Sequence, residues 1–253
     1  MSQYYNPSRN RNIFDPHASE PFSVSRSKID LFMQCPRCFY LDRRVGIARP
    51  PGFPFTLNNA VDTLLKKEFD GHRAEKTSHP LMVNYGIDAI PFDHQQLTLW
   101  RDNRKGIRFF DESSNLMVTG AIDDLWVNSK QQLHVVDYKA TAKSEPVSLD
   151  ADWQIGYKRQ VEVYQWLFRK NRFPVSDTAY FVYCNGKVDR DAFDQRIEFD
   201  ISLLPYEGNA DWISSTLLDI RKTLQSNDLP APAADCDFCR YRNAAVRAES
   251  TEL

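Results

Sequence analysis

Two pairs of cysteines with the spacing Cys-x-x-Cys lie near the two ends of this chain of 253 residues. Cys35 and Cys38 form the first pair, and Cys236 and Cys239 form the second. One pair supplies only half of the four thiolates that a tetrahedral zinc site or a 4Fe-4S cluster takes. If the two pairs share one site, the fold must bring the two ends of the chain together. The alternative is that these cysteines only pack in a core, because free cysteine is among the more buried residue types.

The composition predicts one folded unit with a sizeable core, since 42% of the residues are hydrophobic and 13% are aromatic. No apolar run approaches the roughly 20 residues that cross a bilayer, and the N-terminus lacks the apolar segment of a signal peptide, so a cytoplasmic protein with no membrane partner is expected. Residues 23–243 are predicted to form a single domain between flexible segments at 1–22 and 244–253. In the reducing cytosol, metal binding explains five cysteines better than disulfides do.

The overall charge gives no sign of nucleic-acid binding, because the formal net charge is −2 and the isoelectric point is about 6.2. The first 50 residues nevertheless carry eight Lys or Arg against four acidic residues. Such a local excess of positive charge is suited to contact with a phosphate backbone beside an acidic, cation-binding centre.

The pattern of apolar residues predicts a mixed α/β fold, in which helices flank a mixed central sheet. The polar segment 128–132 is predicted to be the turn of a hairpin, and 70–94 is predicted to be a loop-rich insertion. Helices are predicted over 25–40, 57–69, 151–170 and 212–225, two strands within 107–127, and further strands over 133–140, 178–184 and 196–201.

A carboxylate and an ammonium group are expected to point into the same space from one strand. Asp137 and Lys139 follow an apolar run, and alternate side chains of a strand share a face. A hairpin turn at 128–132 would bring Asp123 within reach of Asp137. Two carboxylates and the carbonyl oxygen of Tyr138 suit a hard divalent cation, Mg²⁺ or Mn²⁺. Lys139 would then orient a water molecule or stabilise developing charge.

Asp-x-Lys alone is weak evidence, but it stands after a Gly-x-x-Asp segment at 120–123 and before Gln160 and Tyr164 on a predicted helix. This order of motifs resembles the RecB-like branch of the PD-(D/E)xK nuclease superfamily, which includes the nuclease domains of RecB and AddB and the CRISPR-associated RecB-like exonucleases. The resemblance implies a restriction-endonuclease-like core, metal ligation by Asp123 and Asp137, and catalysis by Lys139. It also implies that Gln160 and Tyr164 contact DNA and organise the site.

The chain departs from the pattern of that branch at the helix before the strands. Asn58 and Asp62 stand where relatives carry Gly and His, so Asp62 becomes a candidate metal ligand. Asp124 competes with Asp123 for the ligand position. The Gly-x-x-Asp spacing favours Asp123, and only one of the two can face the site because neighbouring side chains of a strand point to opposite faces.

The cysteines depart from the pattern as well. Iron-sulfur members of the branch have one cysteine before the core and three after it, whereas this chain has two before and two after. Four thiolates are still present, so the expected cofactor is a 4Fe-4S cluster, with structural Zn²⁺ as the alternative.

Basic and aromatic residues near Gln160 complete the predicted site. Lys158 and Arg159 are candidates for contact with phosphates. Trp153, Tyr157 and Trp166 recur at near-helical spacing, which favours a place in the core over a role in base stacking.

These observations predict a divalent-metal-dependent DNA nuclease, acting as an exonuclease on single strands or ends, with a role in DNA repair. Its partner would be DNA, and a helicase or a CRISPR adaptation protein is a further possible partner. The alternative is a catalytically silent module that binds nucleic acid or assembles a DNA repair or CRISPR adaptation complex.

Overall fold

The computed structural model describes residues 10–52 and 56–250. This part of the chain has eight α-helices, eight strands, a π-helical turn at Leu41–Val45 and a 3₁₀ turn at Asp152–Gln154. The predicted flexible ends at 1–22 and 244–253 fall partly outside it. The helices are α1 (Arg26–Gln34), α2 (Pro36–Tyr40), α3 (Thr56–Glu75), α4 (Pro80–Asn84), α5 (Leu97–Trp100), α6 (Ile155–Lys170), α7 (Trp212–Gln225) and α8 (Asp237–Ser250). The strands are β1 (Phe22–Ser25), β2 (Ile90–Pro91), β3 (Ile107–Asp111), β4 (Leu116–Gly120), β5 (Asp124–Val127), β6 (Leu133–Thr141), β7 (Thr178–Gly186) and β8 (Phe199–Glu207).

The chain divides into two compact units. The described part of the first comprises residues 10–52, 110–118 and 212–250, and that of the second comprises 56–109 and 119–211. The strands form a three-stranded sheet of order β1-β4-β3 and a five-stranded sheet of order β2-β5-β6-β7-β8. The predicted single domain over 23–243 remains a prediction.

The predicted hairpin is confirmed, since β5 and β6 pair antiparallel from Asp124 opposite Val136 to Val127 opposite Leu133. The turn between them is closed by Asn128, whose backbone N–H donates to the carbonyl of Gln132 at 3.1 Å. The side chain of Asn128 accepts from the backbone N–H of Gln132 at 2.9 Å, as asparagine commonly does in turns.

The sheet of the second unit is mixed, as predicted, because β6 also pairs parallel with β7 while β7 pairs antiparallel with β8. Parallel neighbours need a long crossover connection, and α6 lies within it. β6 is therefore the central strand of the sheet, with its hairpin partner β5 on one side and its parallel partner β7 on the other.

The core of the second unit packs α3 against the sheet. Phe69 of α3 stacks on Trp126 of β5 with ring centroids 5.5 Å apart, and both side chains are fully buried. Val136 and Val182 fill the adjoining positions on β6 and β7. Aromatic stacking and burial together fix the helix over the strands.

Four predicted segments differ from the structure. The helix predicted over 151–170 begins at Ile155, after a 3₁₀ turn over Asp152–Gln154. Residues 107–127 contain three strands, because the segment after Gly120 breaks the pairing before β5 begins. Residues 70–94 contain the end of α3, the short helix α4 and the edge strand β2. The last strand begins at Phe199, three residues later than predicted, and runs to Glu207.

In the first unit, α1 and α2 pack against α7. Thr216 of α7 donates a hydrogen bond to the sulfur of Met33 at 3.7 Å. Among the helices of the described residues, none is both long and apolar enough to cross a membrane.

Candidate active site and cysteine cluster

The side chains of Asp137 and Lys139 meet on one face of β6, where they form an ion pair. Asp137 is fully buried, and the side-chain amide of Gln160 donates to its Oδ1 at 2.6 Å. Burial disfavours the charged form of Lys139, but the carboxylates of Asp137 and Asp123 outweigh it, and the pKa of Lys139 is raised. The ammonium group is therefore held as a cation beside two carboxylates.

Asp123 lies immediately before β5 and faces β6 across the hairpin. Its Oδ2 accepts a hydrogen bond from the backbone N–H of Tyr138 at 3.0 Å. Its side chain is 24% exposed, so one part of the carboxylate remains open to ligands.

Asp124 points the other way and is fully buried. Its carboxylate pairs with Arg73, accepts from Arg101 at 2.9 Å and accepts from the hydroxyl of Tyr138 at 2.7 Å. Arg101 also donates to the backbone carbonyl of Asp123 at 2.9 Å. This ionic network fixes the chain at Asp123 and Asp124, and it leaves the Asp123 carboxylate facing the site.

The carboxylate of Asp62, on α3, lies near that of Asp123, since the two carboxylates contact the same ammonium group, that of Lys66. The ammonium group of Lys66 is 2.8 Å from Asp62 and 3.5 Å from Asp123. Burial raises the pKa of Asp62, and the charge of Asp123 raises it further. One turn earlier, Asn58 donates to the carbonyl of Ala140 at 3.2 Å, which fixes α3 beside the end of β6.

Gln160 and Tyr164 are one turn apart on α6, and the amide of Gln160 lies 3.4 Å from the hydroxyl of Tyr164. Tyr164 is only 3% exposed, and its hydroxyl contacts the site through Gln160. A Cβ added at Gly120 would lie 2.7 Å from the ring of Tyr164. The glycine of the Gly-x-x-Asp segment is therefore required by the close approach of this ring.

The remaining predicted contacts lie on or beside α6. Lys158 is half-buried, with its ammonium group 5.7 Å from the ring centre of Tyr206, and Arg159 is half-buried beside it. Trp166 is buried, as predicted for a core residue, but Trp153 is 57% exposed. The core prediction for Trp153 is wrong because this residue lies in a 3₁₀ turn before α6, outside the periodicity of the helix.

The four predicted cysteine ligands come together in the first unit, in agreement with the predicted joining of the N- and C-terminal segments. All four are buried, and their sulfur atoms lie within 4.8 Å of one another. The Sγ atoms of Cys38 and Cys236 are 3.6 Å apart, those of Cys38 and Cys239 are 3.7 Å apart, and those of Cys35 and Cys239 are 3.8 Å apart. These distances are too long for disulfide bonds.

A cation reaches the cysteine cluster from the connector that follows α2. The guanidinium of Arg49 donates to the sulfur of Cys236 at 3.4 Å and lies 4.5 Å from the ring centre of Phe238. Burial disfavours the thiolate of Cys35, but backbone hydrogen bonds at Ala233 and Cys38 outweigh it and lower its pKa to about 6. At Cys38 and Cys239 burial is the larger effect and raises the pKa of the thiol, so the surroundings favour the charged form at Cys35 and disfavour it at these two residues.

The residues present fit two kinds of metal. The cysteine cluster has the chemistry of a soft, closed site. The oxygens of Asp62, Asp123 and Asp137 suit a hard divalent cation, but these carboxylates are not gathered as the thiols are. The carbonyl of Tyr138 lies on the same strand, between Asp137 and Lys139.

The model of the PD-(D/E)XK nuclease superfamily matches residues 57–244, and the chain belongs to this superfamily. Members of this superfamily are usually nucleases that use divalent metals, which implies nucleic acid as the class of substrate. No curated protein matches the sequence. The solved structure "Crystal structure of SSO0001" is 14% identical, covers 85% of this chain and 82% of that chain, and has a TM-score of 0.40.

Three residues of the site were not predicted from the sequence. Lys66 follows Asp62 at a spacing of four on α3, and this spacing is a local signal for an ion pair. Arg73 and Arg101 contact Asp124 from distant segments, and no local pattern indicates either of them.

Proposed function

We propose that this protein is a divalent-metal-dependent DNA nuclease of the RecB-like type, acting on single strands or ends. The observation that carries the proposal is the contact set around Asp137, which pairs with Lys139 and accepts from Gln160 at 2.6 Å. The carboxylate and the ammonium group come from β6 and the amide comes from α6, the two elements on which the sequence resembles the Asp-x-Lys and Gln-x-x-x-Tyr motifs.

In this proposal Asp123, Asp137 and Asp62, with the carbonyl of Tyr138, hold Mg²⁺ or Mn²⁺. When bound, the cation polarises a phosphate group and lowers the pKa of a coordinated water molecule. Lys139 keeps its proton beside the carboxylates, so it orients the attacking water or stabilises charge on the phosphate. The amide of Gln160 fixes the Asp137 carboxylate by a hydrogen bond, and the hydroxyl of Tyr164 contacts the amide of Gln160.

The test is cleavage of end-labelled single strands and duplexes with Mg²⁺ or Mn²⁺, comparing wild type with Lys139→Ala. Loss of one charge-stabilising group is expected to reduce the rate roughly 100- to 1,000-fold. Lys130→Ala, in the exposed turn between β5 and β6, is the matched control and should cleave normally.

Cleavage by Lys139→Ala at the wild-type rate would remove the assignment. Metal-independent binding without cleavage under any metal would support the alternative of a silent binding or assembly module. In that case a helicase or CRISPR adaptation partner should be sought by co-purification.

For the cysteine cluster we propose one structural Zn²⁺. A tetrahedron with Zn–S bonds of about 2.3 Å has sulfurs about 3.8 Å apart. Three of the sulfur–sulfur separations in the cluster are 3.6, 3.7 and 3.8 Å, and all four sulfurs lie within 4.8 Å of one another. In a 4Fe-4S cluster each thiolate binds a different iron, so the sulfurs surround a larger body and lie farther apart. Arg49 offsets part of the negative charge of four thiolates.

Anaerobic purification followed by visible absorption and metal analysis distinguishes the two cofactors. We expect a colourless protein with one zinc per chain. Brown protein with iron and sulfide in stoichiometric amounts would replace zinc by the 4Fe-4S cluster, and metal-free protein would support simple packing of the cysteines.

A further inference from the structure

An exposed aromatic surface adjoins Lys139 on the second unit. Tyr157 of α6 lies beside the ammonium group of Lys139, which is 4.4 Å from its ring centre. Trp153 lies beside Tyr157, with the ring centroids 5.4 Å apart and nearly perpendicular. Lys143 places its ammonium group 5.2 Å from the ring centre of Trp153. We call Trp153, Tyr157 and Lys143 the aromatic platform.

The exposure of Trp153 is unusual for such a large apolar side chain. The residue is 57% exposed, so most of the indole is open even though Lys143 covers part of it. Indole burial is strongly favourable, and an exposed indole beside a site is a common position for a ligand contact.

The segment that carries Trp153 is held by hydrogen bonds. Gln154, the next residue, is buried and donates to the carbonyl of Ser148 at 2.6 Å. Its Oε1 accepts from the backbone N–H of Ala151 at 2.9 Å. Because Gln154 points inward, Trp153 is turned outward in a fixed orientation, and a ligand that contacts it meets a preorganised surface.

The position of Lys143 is fixed in the same way. Its backbone N–H donates to the side chain of Asn185 at 2.8 Å, and its carbonyl accepts from that side chain at 2.9 Å. The platform therefore combines an exposed indole with a lysine whose backbone is fixed beside it, and these are the groups that contact the base and the phosphate of an unpaired nucleotide.

We infer that the aromatic platform stacks a base of single-stranded DNA next to the phosphate that reaches Lys139. This inference rests on the proposed nuclease function, because the strand must pass Lys139 to reach Trp153. The two ring contacts place the centre of the Trp153 ring at most about 10 Å from the ammonium group of Lys139. A stacked strand rises about 3.4 Å per nucleotide, so the stacked base belongs to one of roughly three nucleotides beside the reacting phosphate.

Stacking, and not charge, should supply most of the affinity at this surface. Glu145, Asp150 and Asp152 lie in the same segment and outnumber Lys143. Base stacking on an aromatic side chain contributes about 1–3 kcal/mol and tolerates any base, since every base has a π-face. A duplex end keeps its bases paired, so it should gain little from Trp153.

The experiment measures binding of an oligodeoxynucleotide by the full chain with Ca²⁺ in place of Mg²⁺, so that affinity is read without cleavage. Trp153→Ala is expected to weaken binding of single strands about 5- to 150-fold, the equivalent of 1–3 kcal/mol. Trp153→Phe should recover part of the loss. Tyr85→Ala, which removes another exposed aromatic of the second unit, is the matched control and should bind as wild type does.

A series of strands with one abasic nucleotide at successive positions locates the contact. One position should weaken binding to wild type and have no further effect on Trp153→Ala, and the loss should change little with salt. Equal affinity of wild type and Trp153→Ala for single strands, or no binding of single strands at all, would overturn the inference. Binding that depends on Trp153, without cleavage, would support the platform and contradict the nuclease function. Cleavage with binding that does not depend on Trp153 would support the nuclease function and contradict the platform.

Discussion

The four thiols of the cysteine cluster are all buried and lie within 4.8 Å of one another, whereas the carboxylates of Asp62, Asp123 and Asp137 are held by lysine and glutamine side chains. The first arrangement is closed and offers its ligands to one ion. In the second arrangement the carboxylates contact lysine and glutamine side chains, and a cation and a substrate can replace these contacts. This difference is the one expected between a structural and a catalytic metal site.

The largest expected effect comes from the removal of one thiol from the cysteine cluster. Cys38→Ser removes a sulfur that contacts both Cys236 and Cys239. Apparent binding free energies of structural zinc are about 10 kcal/mol or more, so loss of the ion should strongly destabilise the first unit. Metal content and urea unfolding measure the effect.

Cys184→Ser is the matched control, since Cys184 is a buried cysteine of β7 outside the cluster. It should retain zinc and cost about 1–3 kcal/mol for a buried hydroxyl. If Cys38→Ser keeps its metal and its stability, the cluster is not a zinc site.

The second expected effect tests the support of the carboxylate centre. Asp124→Asn removes the buried counter-charge of Arg73 and Arg101 and leaves them with the exposed carboxylate of Asp70, so it should cost about 3 kcal/mol, the lower end of the range for a broken buried pair. Asp177→Asn is the control, because Asp177 pairs with Arg169 while 76% exposed and should lose under about 1 kcal/mol. Equal unfolding free energies for the two variants would show that the network does not stabilise the fold.

The third expected effect connects packing to activity. Gly120→Ala should cost about 1–3 kcal/mol, because the new methyl group meets the Tyr164 ring at 2.7 Å. The displaced ring should also lower cleavage through Gln160. Gly71→Ala, in α3 with no atom near its Cβ position, should stabilise the helix by roughly 0.5–1 kcal/mol. Denaturation and cleavage rates are measured on both, and a neutral Gly120→Ala would contradict the close packing.

The smallest expected effect concerns Lys66, whose ammonium group contacts two carboxylates of the site. Lys66→Met removes the ammonium group from Asp62 and Asp123, so Mn²⁺ should bind about fivefold more tightly, an effect of about 1 kcal/mol. Titration of the variant with Mn²⁺ measures this change, and Lys67→Met, which alters an exposed neighbour, should leave affinity unchanged. Weaker binding by Lys66→Met would mean that the lysine supports the cation instead of competing with it.

Local regularity made several parts of the molecule predictable. Alternation along β6 placed Asp137 and Lys139 on one face, and the polar turn at 128–132 predicted the hairpin. Long-range contacts were not predictable in this way. Arg73 lies 51 residues from Asp124 along the chain, and no spacing rule connects them. Trp153 matched the helical spacing, but the periodicity did not reveal that a 3₁₀ turn places it outside the helix.

The parallel pairing of β6 with β7 has a consequence for the maturation of the protein. The crossover that allows this pairing also contains α6, which carries Gln160. A chain that has formed only the β5–β6 hairpin has Asp137 and Lys139 in place but lacks the amide that holds the carboxylate. Non-local pairings close late because their loop entropy is lost before contacts compensate for it. In the proposed function, cleavage therefore requires that the crossover has closed and that α6 has brought Gln160 to Asp137.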